Sequence, residues 1–122
     1  MERFCTSREQ SKRLLELGID PNTSDGCYHF PEINDFSICV PWKKVAKDEK
    51  EVCLPSWSLS ALFKLMPQIG AATPRLSKTF YVSEPKERYY VDLFPIYTSG
   101  EYEEPIDAAY EMCIWLLENK KI

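Results

Sequence analysis

The one histidine, His29, stands two residues from Cys27, and a thiol beside an imidazole is what a thiolate nucleophile and its base would require. The same pair suggests zinc, but zinc ligands come as closely spaced pairs. The chain has neither a second histidine nor a Cys-x-x-Cys, so two strand residues are the plainer reading. A Ser-His-Asp set built on Ser58 or Ser60 lacks the Gly-x-Ser-x-Gly elbow, and Ser58 reads better as a helix cap. The four glycines, Gly18, Gly26, Gly70 and Gly100, fall in neither dinucleotide nor Walker spacing. Glu101, Glu103, Glu104 and Asp107 gather without the ligand spacing of an EF-hand loop. No catalytic residue, cofactor or metal ligand is therefore assigned, and the expectation is a protein that is not an enzyme.

Aromatic residues give the strongest surface candidate. Tyr81, Tyr89, Tyr90, Phe94, Tyr97 and Tyr102 follow one another closely, and Tyr89 and Tyr90, adjacent on a strand, must point to opposite faces. At least one of them then stands toward solvent near Lys78, Lys86 or Arg88. Exposed tyrosines with basic neighbours suit protein interfaces and base stacking alike, while half-buried sheet packing is the plain alternative. Trp115 lies beside the inward stripe of its helix with Met112 and Ala108, where it widens the core or forms a dimer patch. The candidate interaction surface is Tyr81, Tyr89, Tyr90, Tyr97 and Trp115. A formal charge of -4 and a pI near 5.1 favour a protein partner, a second copy included, over a phosphate backbone. Two alternatives remain: a nucleic-acid-binding accessory protein, which needs Lys43, Lys44, Lys47, Lys78, Lys86 and Arg88 on one face, and a small enzyme using Cys27 and His29.

The elements that position these residues are legible from local signals. Thr6 and Glu9 predict a capping box for a first helix that Gly18 closes, with Ile19 packing back on Leu14. Tyr28 and Phe30, then Phe36, Ile38 and Val40, predict a first hairpin around Pro31 and residues 32–35. Residues 43–51 read as a solvated loop or a short helical turn. Ser58 caps a second helix with Leu59, Leu62, Phe63, Leu65 and Met66 as a wide apolar surface, Pro67 ends it, and Trp57 staples it on Leu62. Phe80 and Val82, then Tyr89, Val91 and Leu93, predict a second hairpin with its loop at 83–88. Pro105 starts a third helix, with Ile106, Ala109, Tyr110, Cys113, Leu116 and Leu117 inward. The 122 residues, 44% hydrophobic and 28% charged, fit one α+β domain spanning 1–122. Its predicted order is αββαββα, an antiparallel sheet of about four strands with three helices.

Three blocks, QSKRLLELGID at 10–20, LPSWSLSALFKLMP at 54–67 and EEPIDAAYEMCIWLLENK at 103–120, cover about a third of the chain. On them the chain resembles a family of small uncharacterised proteins encoded in prophages and mobile elements of gut anaerobic bacteria. The resemblance implies a bacterial, phage-related setting and no catalytic residue. Five widely spaced cysteines, no apolar run near the length of a membrane span and no secretory leader make a reducing cytoplasm the expected compartment, with no membrane partner.

Overall fold

The computed structural model describes residues 3–28, 39–41 and 53–122. Its elements in chain order are helix α1 (Arg8–Glu16), strands β1 (Gly26–Tyr28), β2 (Cys39–Val40) and β3 (Leu54–Ser56), helix α2 (Leu59–Leu65), strands β4 (Arg75–Tyr81), β5 (Lys86–Leu93) and β6 (Tyr97–Thr98), and helix α3 (Pro105–Glu118). His29, Phe30, Pro31, Phe36, Ile38, the loop at 32–35 and the lysines at 43, 44, 47 and 50 lie outside the described residues.

Helix α1 starts one residue later than predicted. Ser7 Oγ accepts from the Gln10 N–H at 3.1 Å and Gln10 Oε1 accepts from the Ser7 N–H at 3.0 Å, so the capping box is Ser7–Gln10 and not Thr6–Glu9. Thr6 is taken by a distant partner. Its N–H donates to the Trp57 carbonyl at 2.9 Å, and its Oγ1 accepts from the Trp57 N–H at 3.1 Å. The other end follows expectation: Gly18 sits at φ +97°, where a side chain would be strained. The Gly18 and Ile19 N–H groups donate to Leu15 and Leu14 carbonyls at 3.0 and 3.1 Å, the paired closure of a Schellman ending.

The α+β class and the three helices stand as expected, but among the described residues six strands divide between two sheets, ordered β2-β1-β3 and β4-β5-β6. Two strands have no periodic signature. Strand β3 contains Pro55, which lacks an N–H and is tolerated because β3 is a sheet edge. Strand β6 returns directly from β5: the Ile96 N–H donates to the Leu93 carbonyl at 2.7 Å across a turn that holds the cis Phe94–Pro95 peptide. It takes the free side of β5, and β1, β2 and β3 form a second sheet of their own.

The core lies where α1, α2, α3 and β5 meet. Leu14, Trp57, Leu62, Val91, Leu93, Ile106, Met112 and Leu116 are all fully or almost fully buried. Ala108 and Met112, expected beside the inward stripe of α3, are fully buried, because α3 packs on β5 on one side and on α2 on the other. Trp57 does more than staple its helix: its side chain is fully buried and its indole Nε1–H donates to Thr23 Oγ1 at 3.0 Å. Among the described residues no helix is long and apolar enough to cross a membrane.

Candidate functional site

Strand β4 carries RLSKTFY and pairs antiparallel with β5 in a register that sets Leu76 across from Val91, Lys78 from Tyr89 and Phe80 from Glu87. Alternation puts Leu76, Lys78 and Phe80 on the face that packs toward α3, and Arg75, Ser77, Thr79 and Tyr81 on the outer face. The inner face is covered only along part of its length. Val91 and Leu93 are fully buried, whereas Phe80 is 60% exposed, so the far end of the hairpin runs on past the helix layer. Leu76 and Val82 add apolar exposure beside it, Val82 at 90%.

One edge of this sheet is β4. Tyr89 exchanges N–H and carbonyl with Tyr102 at 2.7 and 2.9 Å, and the Val91 carbonyl accepts from the Ser99 N–H at 2.9 Å. The odd-numbered residues of β5 therefore bond toward β6, and Arg88, Tyr90 and Asp92 bond toward β4. The backbone groups of their partners Thr79, Ser77 and Arg75 point back at β5, which aims the N–H and C=O groups of Leu76, Lys78 and Phe80 away from the sheet. Among the described residues no strand pairs with this edge, and an edge of this kind is a template for another strand.

At the other end of the sheet, the strand after β6 bulges. Thr98 lies opposite Asp92 and Tyr102 opposite Tyr89, so three residues face two, and the Val91 N–H donates to Ser99 Oγ at 2.8 Å in place of a backbone carbonyl. Glu111 of α3 then clamps the bulged strand. It accepts from the Tyr97 and Tyr102 hydroxyls, each at 2.7 Å, and from the Gly100 N–H at 3.0 Å. Hydrogen bonding to this carboxylate, together with burial, pushes both tyrosine hydroxyls up to about 12.

The five residues expected to form one interaction surface are distributed over three places. Tyr97 and Trp115 stack on each other, centroids 4.5 Å apart at 10°, and their contact fastens β6 to α3. Tyr89 is half-buried on the inner face, its hydroxyl donating to Glu87 at 3.2 Å. Tyr81 and Tyr90 share the outer face with Arg88. The Arg88 guanidinium lies 5.8 Å from the Tyr81 ring centroid, and the Tyr81 hydroxyl donates to Glu101 at 2.7 Å, which raises its pKa above the ordinary value. Leu76 and Phe80, the exposed apolar residues of the edge, carry no sequence signal that marks them as surface. Their alternation reads the same whether a helix covers that face or stops short of it.

The basic side chains of the hairpin do not converge. Lys78 is on the inner face, paired with Glu87 at 3.1 Å. Lys86 and Arg88 are on the outer face, paired with Glu103 at 3.1 Å and Glu84 at 2.8 Å. Cys27 is fully buried in β1, and Cys113 is fully buried in α3, where burial raises its thiol to about 12 and its S–H donates to the Leu62 carbonyl at 3.6 Å. Among the described residues no group of three His, Cys, Asp or Glu could hold a metal ion. One cavity of about 380 Å³ is lined by Ala71, Thr73, Arg75 and Phe94, with no carboxylate, imidazole or thiol among them. In comparison with known proteins, no family model, curated protein or solved structure matches this chain.

Proposed function

We propose that this protein is a noncatalytic protein-interaction module that docks its partner on the β4–β5 hairpin. The observation that carries the reading is the edge itself: β4 turns the backbone groups of Leu76, Lys78 and Phe80 outward, and the Leu76 and Phe80 side chains are exposed. Main-chain bonds supply affinity in strand addition, and alternate side chains supply selectivity. Against a phosphate backbone as partner stand the pairing of Lys78, Lys86 and Arg88 with carboxylates and their division between two faces. An accessory role inside a bacterial cytoplasm, in a phage or mobile-element setting, belongs to the same proposal.

The test is to present the pure protein, immobilised, to itself and to a bacterial lysate, beside the variant Phe80→Lys. Phe80 makes no contact that holds the core, so the variant keeps its urea midpoint. The proposal expects the wild type to retain a defined protein, a second copy of this chain or another, and the variant to lose it. Equal retention by both, or retention of single-stranded nucleic acid that salt removes, overturns the hairpin as a protein-docking element.

A further inference from the structure

Resting on that reading, we infer that the partner is a second copy of this chain, with β4 of one copy pairing antiparallel to β4 of the other about a two-fold axis at Thr79. A two-fold edge pairing must set residues of the same face opposite each other, so its centre falls on a residue of β4. Three centres bring enough of the strand into contact to compare. Centring on Lys78 sets Lys78 against its own copy, like charges directly opposed. Centring on Ser77 sets Phe80 against Pro74, which precedes the strand and has no N–H to give the outward Phe80 carbonyl.

Centring on Thr79 has neither fault. Lys78 lies opposite Phe80 of the second copy and Phe80 opposite Lys78, so each ring is covered by an aliphatic stem that carries a cation. These two pairs are also the ones whose N–H and C=O groups point outward, and they close four main-chain hydrogen bonds. Leu76 faces Val82, which brings together two further exposed apolar residues. On the outer face Ser77 meets the Tyr81 side chain and Thr79 meets its own copy. The Lys78 charge retains Glu87 at its side, so no unpaired charge is carried into the contact. The strand thus supplies the complement to its own edge, and the two three-stranded sheets become one of six strands.

Thr79 and its copy form a pair without mutual hydrogen bonds, where Cα atoms stand about 4.5 Å apart, within the span a disulfide bridges. Ser77 and its copy are four residues out of register, about 13 Å apart. The experiment is light scattering of the full chain over rising concentration, joined to mild oxidation of Thr79→Cys and Ser77→Cys with the wild type as control. The expected results are a mass that climbs from 14.2 kDa toward twice that value, a Thr79→Cys dimer that forms several-fold faster than a Ser77→Cys dimer, and a Phe80→Lys variant that stays monomeric because it sets lysine against lysine twice. A dimer that cross-links equally at both positions, or that survives Phe80→Lys, overturns the pairing. A wild type monomeric throughout overturns the second copy, and if Phe80→Lys still abolishes capture of a different protein, the docking hairpin stands without it.

Discussion

The two ends of the molecule hold polar groups in opposite ways. Around Trp57, the N-terminal segment, β1, β3 and the start of α2 share buried hydrogen bonds: Thr6 to Trp57 in both directions, Tyr28 Oη–H to the Thr6 carbonyl at 2.6 Å, and Thr6 Oγ1 against Ser11 Oγ at 2.8 Å. Along the β4–β5 hairpin, the side-chain polar contacts lie at the surface and include the ion pairs Arg75–Asp92, Lys78–Glu87, Lys86–Glu103 and Arg88–Glu84, all with at least one partner more than half exposed. Buried polar groups cost free energy when a partner is lost, while exposed ion pairs contribute little. Stability is therefore concentrated at the Trp57 end. The hairpin is left with apolar surface and open backbone groups that stability does not require, and these are the features on which the proposed docking rests.

Removing the largest buried side chain tests that division most severely. Trp57→Ala deletes a fully buried ring from the core and the Nε1–H bond to Thr23, and is expected to lower stability by about 3–5 kcal/mol. Urea unfolding followed by far-UV circular dichroism measures it, and a loss under about 1 kcal/mol would remove the contrast. Thr6→Val keeps the shape but strips the acceptor from the Trp57 N–H and the partner from Ser11. Its expected cost is about 1–3 kcal/mol, seen as a lower urea midpoint with an unchanged slope.

Between the two ends sits the Glu111 clamp. Tyr97 and Tyr102 have hydroxyls raised to about 12 from an ordinary 10.0, so their contribution to stability is complete below about pH 10 and is lost as pH rises toward 12. Glu111→Gln removes the negative charge that disfavours tyrosinate. Absorbance titration is expected to show both tyrosines moving down toward 10, and stability falling by about 1 kcal/mol at neutral pH. A titration curve identical to the wild type would mean the clamp does not hold in solution. At the hairpin, Lys78→Ala is expected to cost under about 0.5 kcal/mol, and a change of midpoint as large as that of Thr6→Val would erase the difference between the regions.

Helix ends were legible because their chemistry is local: Gly18 past the first helix, Ser58 before the second and Pro105 at the start of the third all do in the structure what their types predict. Where a choice depended on a remote partner, reading failed. Thr6 and Ser7 are both capping residues, and Trp57, 51 positions away, decides between them by engaging Thr6. Strands β3 and β6, of three and two residues, are too short to show a period, and Pro55 argues against the first of them. The stacked Tyr97 and Trp115 carried a real signal, large aromatics near one another, whose meaning was structural. The outward edge of β4 left no trace in the residues, since alternation specifies two faces and says nothing about which strand ends a sheet.

Amide hydrogen exchange along β4 tests the central claim most directly. The account predicts alternation in dilute protein: slow exchange at Arg75, Ser77 and Thr79, which bond to β5, and fast exchange at Leu76, Lys78 and Phe80, which point outward. On raising the concentration, or on adding a captured partner, the fast set gains protection and the slow set changes little. Uniform protection along the strand in dilute protein, or fast amides that no concentration or partner slows, would contradict a docking edge at β4.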